Sequence, residues 1–258
     1  MLALLALVAV PEVTTFDNTA QIMARLLEEK PRVIAFGEVH EVTGGAKARS
    51  ALSHFTDELL ALTTVRGASD LIVETWVTTG NCGKSETQAV AKVEKHIQRP
   101  KHVKTELEIL IERAVQMGLK PHILTITCDE YRSIQPDAGE VDYIKLLSVV
   151  TAALKREIDA TLAKAKPEKT VLVYGGAVHN DLQPRAELKD FTFGPAVSAE
   201  VGGHYLEVDL YVPEFIERDP EIVKESWYPL YKKKAKPGKP TLVKRAPGSY
   251  IVLFPRSS

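Results

Sequence analysis

Excess basic charge is missing from this chain. Its 258 residues set 33 lysines and arginines against 34 aspartates and glutamates. A general nucleic-acid binder carries a clear basic surplus, so no nucleic-acid partner is expected. Cysteine is scarce as well. Two residues, Cys82 and Cys128, are too few for a disulfide scaffold or a Cys-based zinc module. No Cys-x-x-Cys-His segment occurs, which excludes covalent c-type haem attachment. No apolar run is long enough to span a bilayer, and no collagen-like period or disorder-prone composition is present. What remains is 45% hydrophobic and 26% charged, the mix of an ordinary soluble globular protein able to bury a sizeable core. With no internal repeat or long linker, residues 11–258 are expected to form a single domain.

The first ten residues, MLALLALVAV, hold no polar side chain. Their length suits the apolar region of a secretory signal and is too short for a membrane helix. Basic residues in front are lacking and the small-residue cleavage site is poor. Residues 1–10 therefore read either as a signal-peptide remnant or as a short strand or helix packed on the core.

Strand and helix signals then alternate. Thr15 or Asp17 can cap a helix running to Glu29, which Pro31 stops. Val33–Phe36 is a short apolar run ending in Gly37, as expected of a buried strand. Residues 46–64 place Ala48, Leu52, Phe55, Leu59 and Leu62 on one helical stripe. Residues 70–75 predict a second strand, 85–98 and 104–117 two helices, and 122–127 a third strand. The longest helix is expected over 140–165, then a strand at Thr170–Tyr174. The fold class that follows is α/β: a mostly parallel, mixed central sheet with helices on both faces. Tyr205–Tyr211 alternates in the manner of a half-exposed strand and Tyr250–Phe254 reads as the last one. Neither has a clear crossover helix, so antiparallel or mixed pairing is expected there. The basic stretch 232–245 reads as a solvated loop, or alternatively as a contact for an anionic surface or ligand.

In open α/β sheets ligands bind beyond the carboxyl ends of the strands. The residues there are Glu38 and His40 after the first strand, Glu74 at the end of the second, and Asp129 after the third. His179 and Asp181 follow the fourth. Two histidines and several carboxylates at one edge suit a divalent metal such as zinc, manganese or cobalt, or acid–base work on a water. Gly37, Gly175 and Gly176 remove side chains where the backbone must turn or a ligand must approach. Glu74 closes a Leu-Ile-Val run and needs a partner unless it points into solvent. The other histidines are weaker candidates. His54, His96 and His102 read as surface residues, His122 starts a strand at the opposite end, and His204 could reach a pocket from a loop. If the strands before Cys82 and Cys128 are parallel neighbours, the two thiols share one sheet edge and a disulfide is open to them. The alternative is two unpaired, partly buried thiols.

The ordered set Gly37-Glu38-Val39-His40, Glu74 and Gly176-Ala177-Val178-His179 resembles the Tiki/TraB, erythromycin-esterase and ChaN-like superfamily. The resemblance covers residues 32–182, and Tyr250–Pro255 is similar to the closing strand of the ChaN-like group. It implies that Glu38, His40, Glu74 and His179 line an active site. One branch implies metal-dependent hydrolysis of peptides. The esterase branch implies a histidine or glutamate that activates water, and the ChaN-like branch implies haem binding in iron uptake. Asp129 or Arg132 meets only loosely the family's charged residue after the middle strand, and Cys82 has no counterpart there. The leading expectation is a hydrolase of peptide or ester bonds in a small-molecule or peptide substrate. The alternatives are a haem binder, with Tyr205, Tyr211, Tyr228 or Tyr231 as axial ligand, and a non-catalytic member kept for interaction. Several branches work outside the cytoplasm, so an exported, periplasmic or secreted location is expected, which a Cys82–Cys128 disulfide would support.

Overall fold

The computed structural model describes residues 10–39, 48–79, 82, 102–135 and 141–257. The candidate signal remnant at residues 1–9, His40, the expected helix at 85–98 and His96 lie outside the described residues. Eight strands form one mixed sheet: β1 (Glu12–Thr15), β2 (Val33–Glu38), β3 (Ala68–Thr79), β4 (Lys120–Thr127), β5 (Thr170–Gly176), β6 (Tyr205–Tyr211), β7 (Thr241–Ala246) and β8 (Ser249–Leu253). Their spatial order is β1-β7-β8-β6-β2-β5-β3-β4. The run from β8 to β4 is parallel throughout, and only β7 on β8 and β1 on β7 are antiparallel.

The helices follow the apolar stripes. α1 (Thr19–Leu27) is capped by Asn18, whose side chain accepts from the Gln21 amide. Thr15 instead ends β1, and Asp17 donates its amide to the Gln21 side chain, so neither expected cap is used. α2 (Ala51–His54) starts at Ser50 and continues through a π turn (Phe55–Leu59) into α3 (Leu60–Val65). Leu52, Phe55 and Leu59 are buried as the stripe requires. α4 (His102–Gln116), α5 (Cys128–Ile134) and α6 (Tyr143–Leu162) follow. The one-turn α7 (Ala177–Asn180), α8 (Gly194–Glu200), α9 (Pro213–Ile216) and α10 (Tyr228–Lys234) complete the chain. Among the described residues no helix is long and apolar enough to cross a membrane.

Two large cores sandwich the sheet. Ile34, Phe36, Leu172 and Tyr174 pack with α1–α4 on one face. Val33, Ala35, Val171 and Val173 pack with α5, α6 and α8 on the other. A third cluster, around Trp227, Ile251 and Leu253, lies beside β1, β7 and β8. The crossover from β2 moves toward β3 over the first face. The crossover from its neighbour β5 moves the opposite way, to β6, over the second. Right-handed connections require this reversal, and the carboxyl ends of β2 and β5 are where such a reversal places a ligand site in open α/β sheets.

The C-terminal third departs from expectation in two ways. β6 is not half exposed: all seven of its residues are buried, and it pairs in parallel with both β2 and β8. The basic stretch is a loop only over residues 235–240, exposed at 236–239. Lys232–Lys234 close α10, and Thr241–Ala246 is the internal strand β7. Two of the stretch's charges are paired, Lys232 with Glu217 and Lys239 with Asp17.

Candidate active site at the carboxyl edge of the sheet

Glu74 lies at an irregularity of β3. Val73 pairs with Ile123 of β4 and Trp76 with the next residue, Leu124, so Glu74 and Thr75 are extra on that side. Against β5 the register runs evenly to Val73–Tyr174, and Glu74 follows Ile72 onto the face of the second core, over Gly175. A Cβ on Gly175 would lie 2.6 Å from Glu74 Oε2 and 3.0 Å from its Cβ. Oε2 accepts the Gly176 amide at 2.6 Å. The partner that a carboxylate after Leu-Ile-Val demands is thus a backbone N–H, with His179 as a second neighbour.

His179 sits in α7, only 3% exposed. Its Nδ1 lies 3.1 Å from the Phe191 carbonyl and 2.8 Å from Thr151 Oγ1. A carbonyl only accepts, so a bond to Phe191 places a proton on Nδ1, and in the neutral ring that tautomer leaves Nε2 as an acceptor. That nitrogen faces Glu74 Oε1 at 3.8 Å. Two acceptors face each other across a gap wider than a hydrogen bond, which a water can bridge by donating to both.

Gly37 has a different use from the one the sequence suggests. Its missing Cβ would fall 2.7 Å from Ala177 Cα and 2.7 Å from Asn180 Nδ2. The glycine lets the His179 helix lie directly on β2, rather than admitting a ligand.

Glu38 ends β2 on the other face. Its Oε2 accepts the Tyr174 hydroxyl at 2.5 Å, beside the ring of Phe55, which stacks on Tyr174. The structure therefore brings Glu74 and His179 together and holds Glu38 across the sheet from them. Asp129 and Arg132 pair with each other on α5 at 88% and 68% side-chain exposure, outside that grouping. Asp181, just past α7, accepts the Gln183 amide. Among the described residues no three His, Cys, Asp or Glu side chains gather as a metal site.

Cys82 and Cys128 form a disulfide with Cα atoms 5.4 Å apart. It ties the chain beyond β3 to the start of α5, since β3 and β4 are parallel neighbours. His54 is buried rather than on the surface: its ring stacks on Phe254 at 4.2 Å and its Nδ1 meets Glu58 at 2.6 Å. His122 bridges Asp70 and Glu157. His204 lies exposed before β6, at the edge opposite the carboxyl ends of β2 and β5. His102 opens α4. The tyrosines weighed as haem ligands are packed into the fold: Tyr205 donates to the Asn180 carbonyl, Tyr211 lies against Trp227, and Tyr228 and Tyr231 flank that same indole.

Sequence reasoning missed Thr151 and Phe191, which orient His179, because both act from distant segments. It also missed a buried ionic cluster behind α7. Glu207 and Asp209, on β6, both meet the guanidinium of Arg245 from β7, Asp209 at 2.8 Å. Burial, then the Asp209 charge, pushes Glu207 up to about 8. Burial likewise raises Asp209, against the pull of Arg245. Burial works against the charge on Arg245, but Asp209 and Glu207 outweigh it and hold the guanidinium protonated. The only signal was the alternating Tyr-x-Glu-x-Asp-x-Tyr of β6, which in isolation reads as a solvent face.

No protein-family model, curated protein or solved structure matches this chain.

Proposed function

We propose that the chain is a hydrolase in which Glu74 and His179 activate a water at the carboxyl edge of the sheet. The observation that carries this is Nε2 of His179 facing the Glu74 carboxylate at 3.8 Å. A water between them donates one hydrogen to each, which turns its lone pairs outward. Attack on an ester or peptide carbonyl passes the water's proton to Nε2. The imidazolium so formed is stabilised by Glu74, whose other oxygen stays fixed on the Gly176 amide. His179 then returns that proton to the leaving oxygen or nitrogen as the tetrahedral intermediate collapses. Low exposure strengthens these electrostatic terms relative to bulk water.

A zinc, manganese or cobalt ion would lower the pKa of a bound water. Glu74 and His179 supply two donors for it, and no third joins them among the described residues. The resemblance at the two Gly-x-x-His segments, in which Glu74 and His179 are among the implied active-site residues, supports the same assignment.

The test is hydrolysis of a panel of aryl esters and short peptides by the wild type, His179→Ala and Glu74→Gln, each with and without exhaustive chelation. Activity that survives chelation and is lost in both variants supports the proposal. Activity lost on chelation moves it to the metal form, and activity retained in His179→Ala overturns it.

A further inference from the structure

The segment that follows His179 is held on β6 by three alternate residues of that strand. Tyr205 donates its hydroxyl to the Asn180 carbonyl at 2.6 Å. Glu207 Oε2 accepts the Leu182 amide at 3.1 Å. Asp209 Oδ1 accepts from Asn180 Nδ2 at 3.3 Å, and the same amide nitrogen donates to the Ala35 carbonyl of β2 at 3.1 Å. Both partners of Nδ2 are acceptors, so the amide orientation is fixed. Behind the two carboxylates stands Arg245, which also donates from Nε to Ser249 at 3.0 Å. Burying two carboxylates this deeply beside a partly exposed guanidinium is costly, and an apolar set of the same volume would often be as stable. The cluster therefore calls for a purpose other than stability.

We infer that Arg245, Glu207 and Asp209 act as a buried clamp that positions His179 through Asn180 and the chain behind it. Asn180 is the residue next to His179, and its side chain lies flat over Gly37. Any change at Asp209 thus reaches the backbone that carries the imidazole. On the other side the ring is set by Phe191 and Thr151, so displacing α7 disturbs the Nδ1–H bond that leaves Nε2 an acceptor. Asp209, Glu207 and Arg245 are positioning residues. The functional meaning of the clamp rests on the proposed hydrolase, but its physical content does not.

The experiment uses the full chain labelled with ¹⁵N-histidine and reads the tautomer of His179 by its ring nitrogen shifts, assigned with His179→Gln. Asp209→Asn keeps the shape but cannot accept from both Asn180 and Arg245. Asn180→Ala cuts the link and leaves the ionic cluster intact. In both variants the Nδ1–H tautomer of His179 is expected to give way to a mixture. Where wild-type hydrolysis is measurable, kcat is expected to fall about tenfold or more with KM within about twofold, because a small misplacement of a reacting group is costly in rate. A His179 spectrum in Asn180→Ala identical to that of the wild type would overturn the clamp. An inactive wild type, or an active His179→Ala, would defeat the hydrolase reading and leave the nitrogen shifts to judge the clamp by themselves.

Discussion

Nε2 of His179 faces Oε1 of Glu74 across 3.8 Å, and each of the two groups is held from behind by backbone. The Phe191 carbonyl fixes the imidazole and the Gly176 amide fixes the carboxylate. A pair so held has little reorganisation to undergo when a proton moves between them and a water. His179→Ala and Glu74→Gln are each expected to lower kcat by about 10²-fold or more, in line with the loss of a positioned acid–base group. Circular dichroism and thermal melts should show both variants folded.

The two close-packed glycines should separate stability from chemistry. In Gly175→Ala the new methyl meets the Glu74 carboxylate, a side chain that can swing away from its bond to Gly176. Activity should drop well beyond what the melt suggests. In Gly37→Ala the methyl meets backbone, Ala177 Cα at 2.7 Å, so α7 must shift as a unit. Overpacking of that kind costs about 1–3 kcal/mol, measurable by urea denaturation, and should reduce activity as well.

Glu207 predicts a pH dependence of stability. Its folded-state value lies above that of the unfolded chain, pushed up to about 8 from 4.5 by burial and then by Asp209. The folded state therefore binds more protons between those values, and its contribution is fully present below pH 4.5 and lost as pH rises through about 8. Glu207→Gln should flatten the fall in denaturation midpoint across that window. An unchanged profile in this variant would place the dependence on other groups.

The disulfide makes a third kind of prediction. It closes a loop with a sequence separation of 46 residues, for which the chain-entropy model gives about 4 kcal/mol of stabilisation. Cys82→Ser/Cys128→Ser, or the wild type in reductant, should unfold at a lower denaturant concentration. The Glu74–His179 pair lies on β3 and α7, outside the bridged termini, so residual activity per folded molecule should be largely retained.

How much of this was legible depends on whether the signal was local. Val33–Phe36 and Thr170–Tyr174 read as buried strands because each is a self-sufficient apolar run. The stripe Leu52-Phe55-Leu59 reads as a helix for the same reason. β7 was hidden because a strand holding Lys244 and Arg245 does not look apolar, although Arg245 turns to two buried carboxylates. β6 was misjudged in the same way: Glu207 and Asp209 at alternate positions look solvent-facing until Arg245 is placed beside them. His54 looked exposed because nothing nearby in sequence announces the stacking of Phe254, 200 residues later.

The site shows the same division. Sequence order alone singled out Glu74 and His179 as residues at strand ends, because apolar runs announce where strands stop. Which of the candidates meet was decided by the tertiary structure. The two-residue bulge at Glu74–Thr75 exists only in the register against β4, and alternation from Ile72 carries Glu74 onto the face that holds α7. Glu38 obeys plain strand alternation and faces the other way, onto Tyr174. Side-chain type and periodicity are written along the chain. The face a carboxylate shares, and the charge that lets it be buried there, arise only when distant strands pair. For this protein, chemistry-bearing residues were therefore readable in advance, and their grouping into one acid–base pair was not.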